Sequence, residues 1–384
     1  MTVLAPSPGT VPDRSRAAAG AAPIVAPELR SALAADLAKA AEGGDETSFP
    51  HASFALLRQR GLLRAPSPGG AIGRMLGLLA TVGRGDLATG RIFEGHLNAL
   101  DLIERFGTPA QAAAARRDAD DGHVFAVWNT DIPDRPLVLE KTGAGSVLKG
   151  GKTLASGVDA VTRALVTATD AHGGRLLLLL PLDPPHERID RSWWRPMGMR
   201  SSVSHVIELG ERAVADDQAV GRPDDYLRQP WFGAGAIRFA AVQVGGMHAL
   251  LDAARTHLVA AARAEAPYQL HRLARMAIAV EGGYGWLERA AAAWDRGCTE
   301  GSAPAAATAA VAQANLTRSA VEALAMTVID IAQQAVGCAG LIEPHPLERR
   351  LRDLMVYLRQ PNPDGALAQA GQAVANGTWE PHTW

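Results

Sequence analysis

The feature that most constrains this chain is a double change of hydrophobic period. From about residue 27 to 120, apolar residues recur three and four apart. PELRSALAADLAKAAEG, FPHASFALLRQRGLL and GHLNALDLIERFG show the spacing that gathers them on one helix face. Near 122 the pattern shortens to HVFAVWNT, LVLEKTG, RALVTAT, GRLLLLLPL and SHVIELG. These runs are β-branched or apolar and are punctuated by Gly, Pro and Asp, which reads as strands. The helical period returns near 228 and holds to about 360. This order predicts an α+β chain with an N-terminal helical domain (27–120), a central antiparallel β-sandwich or barrel domain (121–226) and a C-terminal helical bundle (227–368).

The flanks read differently. Residues 1–26, MTVLAPSPGTVPDRSRAAAGAAPIVA, lack the continuous apolar core of a secretory signal and predict a disordered leader. Residues 369–384 form a tail ending in GTWEPHTW. Thr108, ahead of PAQ, is placed as a helix N-cap. The LRDLMVYLRQPNPDGA segment predicts a helix that stops at Pro361 and Pro363, because proline lacks the N–H a helix needs.

Charge and cysteine content narrow the function classes. A formal net charge of -2 gives no basic excess for nucleic acid, and no nucleic-acid partner is expected. The longest apolar run, LLLLLPL at 176–182, is strand length, so no membrane span is expected. Two cysteines, Cys298 and Cys338, exclude a disulfide scaffold and suit a reducing cytoplasm. No metal site is expected.

Five segments in order resemble the acyl-CoA dehydrogenase superfamily over roughly residues 45 to 365. They are FPHASFALLRQRGLL, GHLNALDLIERFGTPAQ, LKGGKTLASGVDAVTRALVTA, RPMGMRSSVSHVIELGERAVADDQAVG and QQAVGCAGLIEPHPLERRLRDLMVY. The resemblance implies a four-helix C-terminal bundle, an FAD cofactor (FMN in a monooxygenase) and a homotetramer built as a dimer of dimers. It implies that Trp128, Asn129, Thr130, Leu154 and Ser156 meet the flavin ring. Arg263, Gln334, Gly337 and Gly340 would line the phosphate end of a flavin reaching over from a neighbouring subunit. Gly337 and Gly340 interrupt a helical pattern at about 1 kcal/mol each relative to Ala, which points to positive φ or close approach.

The same resemblance implies an enzyme that oxidises an acyl-CoA or acyl-carrier-linked substrate at a CH–CH bond, with flavin as hydride acceptor. An electron acceptor or a flavin reductase would serve as its redox partner. That chemistry needs a base within reach of the substrate α-proton. The family supplies a glutamate just past the Arg-Asp helix or on the earlier long helix; here those positions hold Pro361 and Gly235–Ala236. Asp364 and His96 are the remaining candidates. The missing carboxylate, with His96, supports a second reading: a monooxygenase using reduced flavin and O₂. A non-catalytic relative of the same fold is the third.

Overall fold

A computed structural model describes residues 27–64, 72–143, 145–184, 188–299 and 301–381. The expected leader, 1–26, lies outside them, as does the end of the tail from 382. Helices α1 (Pro27–Glu42), α2 (His51–Gln59), α3 (Ile72–Gly85), α4 (Leu87–Phe106) and α5 (Pro109–Asp120) form the N-terminal domain. The starts of α4 and α5 are written in the sequence. Asp86 caps α4, its carboxylate accepting from the N–H of Thr89 at 2.7 Å. Thr108 and Gln111 cap α5 reciprocally, as a Thr-x-x-Gln box should.

Among the described residues nine strands follow: β1 (Phe125–Trp128), β2 (Val138–Thr142), β3 (Gly145–Lys149), β4 (Gly151–Ala155), β5 (Arg163–Thr169), β6 (Arg175–Pro181), β7 (Ile189–Asp190), β8 (His205–Glu208) and β9 (Ala213–Val214). Six strands form one sheet, in which β6 also pairs with β5; β4, β8 and β7 form the other. The larger sheet is mixed rather than wholly antiparallel. β1 runs parallel to β5, with Phe125 opposite Arg163 and Trp128 opposite Val166. The long connection from Trp128 to Arg163, which carries β2, β3 and β4, makes that parallel pairing reachable, whereas a hairpin could not.

The third part contains α6 (Trp231–Ala234), α7 (Ile237–Ala260), α8 (Pro267–Gly297), α9 (Pro304–Val336), α10 (Pro346–Tyr357) and α11 (Pro363–Ala375). The long helices α7, α8 and α9 pack on one another, and α10 completes the bundle against α7. From Trp231 to Ala260 the chain is long and apolar enough to cross a membrane, but 78% of its most apolar window is buried inside the fold, as befits a core helix. The N-terminal domain docks on α7 through α3, and there glycine is required. A Cβ on Gly245 would lie 2.1 Å from the carbonyl oxygen of Ala80, and one on Gly83 would lie 2.4 Å from that of Val242.

The prolines after α10 mark a corner, not the end of the bundle. Pro363 occupies the first turn of α11, where its missing N–H costs nothing, and Asn362 caps that helix by accepting from Gly365 N–H at 3.3 Å. The bundle therefore runs to Ala375, past the boundary expected at 368. Trp379 then ties the chain back, its indole N–H donating to Gln313 Oε1 at 2.9 Å.

Candidate functional site

The ends of β1 and β4 come together at the edge of the β domain. The Thr153 N–H donates to the Thr130 carbonyl at 3.0 Å, and the Trp128 indole N–H donates to the Ser156 carbonyl at 3.1 Å. Trp128, Asn129, Thr130, Leu154 and Ser156 thus form one cluster. Their surroundings differ. Trp128 is only 1% exposed and its ring belongs to the core, so it offers no face to a ligand. Ser156 is buried too, its hydroxyl 2.8 Å from that of Ser204, which is 2.8 Å from that of Ser202. Asn129 is half-buried and Thr130 exposed.

Leu154 stands out on backbone grounds. Its φ is 52°, at the point where β4 shifts register against β8 between Lys152 and Ala155. A left-handed leucine costs roughly 1–2 kcal/mol, and such strain concentrates at ligand sites. Beside it, the buried hydroxyl of Thr153 has no hydrogen-bond partner. Lys152 serves the fold rather than a ligand. It is fully buried and pairs with Asp131 at 2.5 Å, and burial pushes its pKa down to about 8 despite that partner.

Next to this edge, the 196–204 loop docks on α10. A Cβ on Gly198 would lie 2.2 Å from the backbone of Arg352, so only glycine fits the contact. The Met199 N–H donates to Asp353 Oδ1 at 2.5 Å. Arg349 donates to the Ala41 carbonyl (3.0 Å), Asp86 (3.3 Å) and Ser201 (3.2 Å), which ties all three parts of the chain together. Burial, with Asp86 nearby, raises the Asp353 pKa to about 6.

Where α4, α7 and α10 converge lies a buried polar cluster. Arg91, Glu94 and Asn98 fall on one face of α4 at helical spacing. Arg91 Nη1 donates to Glu94 Oε2 at 2.9 Å, and Arg238 at the start of α7 donates to Asn98 Oδ1 at 2.5 Å. Arg238 Nε stands 3.5 Å from Glu94 Oε1, an ion pair not closed into a hydrogen bond. The Arg91 guanidinium lies 5.0 Å from the Phe239 ring centre, and that ring is 5.9 Å from the ring of Tyr357. Five buried atoms here lack any hydrogen-bond partner: Arg91 Nε, Glu94 Oε1, Arg238 Nε and Nη1, and the Tyr357 hydroxyl. Buried polar atoms are rarely left without partners, and five of those among the described residues gather here.

The two expected acid–base candidates stand apart from this cluster. His96 is fully buried on the other side of α4. Its Nδ1 accepts from the Phe125 N–H at 3.0 Å and its Nε2 faces the Leu63 carbonyl at 2.6 Å. Both ring nitrogens are committed, and burial lowers the pKa to about 4. In this structure His96 fastens α4 to β1 and to the segment after α2. Asp364 is exposed in the first turn of α11.

The phosphate-end candidates gather at another end of the bundle, where α8 begins and α9 ends; Gln269 there donates to the Ala335 carbonyl at 3.2 Å. Arg263 is exposed in the α7–α8 connection, and exposed Gln334 donates to Asp330 at 2.8 Å. Gly337 ends α9 with φ 79°, and Gly340 packs where a Cβ would meet Val336 and Leu347. Both glycines thus have structural reasons within one chain. The Arg91–Glu94–Arg238–Tyr357 cluster escaped sequence reasoning, although its 91, 94, 98 stripe is visible as polar residues at helical spacing in an apolar helix.

Residues 227–358 match the family model of the acyl-CoA dehydrogenase C-terminal domain. Over these C-terminal helices the chain is similar to that family, and its fold is the acyl-CoA dehydrogenase-like one. Among solved structures, the methanesulfinate monooxygenase MsuC of Pseudomonas fluorescens superposes with a TM-score of 0.80 at 20% identity, over 93% of this chain and 99% of that one. The nitrososynthase of Micromonospora carbonacea var. africana gives 0.77 at 21% identity, over 92% and 95%. FMN-bound TdsC of Paenibacillus sp. A11-2 gives 0.75 at 17% identity, over 92% and 99%. No curated protein matches the chain by sequence.

Proposed function

We propose that this protein is a flavin-dependent monooxygenase that uses reduced flavin and O₂, rather than a dehydrogenase of acyl thioesters. The observation that carries this reading is the missing base. Pro361 and Gly235–Ala236 hold the positions from which relatives remove the α-proton, and the nearby carboxylate of Glu94 is held between two arginines. The fold neighbours support it, since MsuC and TdsC are monooxygenases and TdsC binds FMN.

The residues present fit the ring of a flavin. Leu154 offers an apolar side chain held by a strained backbone, and the unpartnered Thr153 hydroxyl and exposed Thr130 offer polar groups for a ring edge. When bound, a reduced flavin supplies two electrons and the site where O₂ is activated. The chain's own contributions are to wall the ring with Leu154 and to hold the strand ends in place through Trp128 and Ser156. Arg263, Gln334, Gly337 and Gly340 of a neighbouring copy would serve the phosphate end. Exposed apolar side chains on the same bundle, Tyr268, Ile278, Leu341 and Ile342, support a homo-oligomer. A separate flavin reductase would supply the electrons, and the unpaired Cys298 and Cys338 fit a cytoplasmic setting.

Isotope incorporation tests the assignment. The protein, FMN and a flavin reductase are incubated with candidate substrates under ¹⁸O₂. Incorporation of one ¹⁸O into product is expected. Anaerobic bleaching of the bound flavin by an acyl-CoA, with no oxygen in the product, would return the protein to dehydrogenase chemistry.

A further inference from the structure

Charge and hydrogen bonding in the α4–α7–α10 cluster do not balance. Two arginines, Arg91 and Arg238, share one carboxylate, Glu94, leaving one positive charge in excess. Arg238 and Glu94 are 5% and 1% exposed, and Tyr357 is 1% exposed. A buried excess charge is costly unless something pairs with it. The unused groups match a specific complement. Arg238 Nε and Nη1 and Arg91 Nε are N–H donors without acceptors, and the Tyr357 hydroxyl has no partner. What is lacking is therefore an acceptor carrying about one negative charge, with more than one oxygen to meet a guanidinium edge.

We propose that Arg91, Arg238 and Tyr357 bind a compact monoanionic oxyanion on the substrate, a carboxylate or a sulfur oxyacid, while Glu94 holds the arginines in position. This deepens the monooxygenase assignment above and rests on it, adding that the substrate's anionic end reaches this junction. The surroundings suit a small molecule with a charged head. The Phe239 ring lies 5.0 Å from the Arg91 guanidinium and 5.9 Å from the Tyr357 ring, and Trp294 lies 5.7 Å from the Arg238 guanidinium, so aromatic rings flank the charge. Such surroundings strengthen a charge-assisted hydrogen bond relative to water. A substrate of this class would be fixed by its anionic end, leaving the rest of it free to face the β1–β4 edge.

The test measures anion binding to the full chain without flavin or turnover. Acetate, methanesulfonate and phosphate are titrated at constant ionic strength, with chloride as control, by calorimetry and thermal shift. The monoanions are expected to bind and to raise the melting temperature. Arg238→Gln and Tyr357→Phe are expected to weaken binding, by about tenfold or more for the arginine. Glu94→Gln separates binding from simple packing, because it adds to the excess positive charge: anion affinity should rise even if the fold loses stability. Exposed Arg116→Gln, paired with Glu104 elsewhere, should change nothing. Binding of no anion, a preference for phosphate, or unchanged affinity in both Arg238→Gln and Glu94→Gln would overturn the proposal. Anion binding without ¹⁸O transfer would instead leave this site standing and remove the monooxygenase reading.

Discussion

The Nδ1 of His96 accepts a hydrogen bond from the backbone N–H of Phe125 at 3.0 Å, joining the middle of α4 to the first residue of β1. An acceptor at Nδ1 requires the proton on Nε2, which points it at the Leu63 carbonyl. One neutral ring therefore satisfies two buried backbone groups from two other segments. His96→Ala strands both, and the expected loss is roughly 2–5 kcal/mol of unfolding free energy. Urea unfolding checks this; a loss of activity with stability intact would restore a catalytic role.

The same ring sets a pH dependence. Its folded pKa of about 4 lies below the unfolded value of 6.5, so as pH falls the unfolded chain takes up the proton first. Its stabilising contribution is complete above 6.5 and is lost as pH falls from there towards 4. The full difference is on the order of 3 kcal/mol. Unfolding of wild type and His96→Phe across this window should show a smaller slope in the variant.

Asp353 acts in the opposite sense. Its pKa rises from 3.8 to about 6 in the folded state, so its contribution is present below 3.8 and is lost as pH rises through 6. Asp353→Asn keeps an oxygen for the Met199 N–H and removes the buried charge. The stability difference, variant minus wild type, should therefore become more favourable between about pH 4 and pH 6 and level off above that. A difference that becomes less favourable over that range would mean that Arg349 stabilises the carboxylate more than burial penalises it.

Much of the architecture is legible in the sequence because it rests on local rules. The two changes of period locate the three parts, and Thr108 with Gln111 writes its own cap. Pro363 reads as a stop although it begins a helix, because proline suits both places. Asn362 ahead of it, bonding to Gly365, is the local sign of a start. The site is less legible for a different reason. Arg238 meets Asn98 across 140 residues of sequence, and no local pattern announces such a pair. His96 carries the right chemistry for catalysis, but its direction on α4, two residues from Glu94, turns it towards β1. The mixed pairing of β1 with β5 is hidden for the same reason, because strand propensity does not report strand direction.

Gly198 is the hinge point of the contact between the β domain and α10. Alanine there would put a methyl group 2.2 Å from the Arg352 carbonyl, so the loop must move away from the helix. Gly198→Ala is expected to cost roughly 1–3 kcal/mol. It should also speed hydrogen exchange at Met199, whose N–H is held by Asp353. Unchanged protection at Met199 would show that α10 yields instead of the loop.

Leu154 separates folding from ligand binding. Asparagine tolerates left-handed backbone better than leucine, so Leu154→Asn relieves strain of about 1 kcal/mol at φ 52°. Because the leucine is half-buried at the β4 bulge, little core is lost. The variant should therefore match or exceed wild type in thermal stability. If the flavin ring rests on this side chain, FMN affinity measured by fluorescence quenching should nevertheless fall by about tenfold, the equivalent of about 1.4 kcal/mol. A fall in stability with FMN affinity unchanged would make Leu154 an ordinary packing residue and move the flavin ring away from this edge.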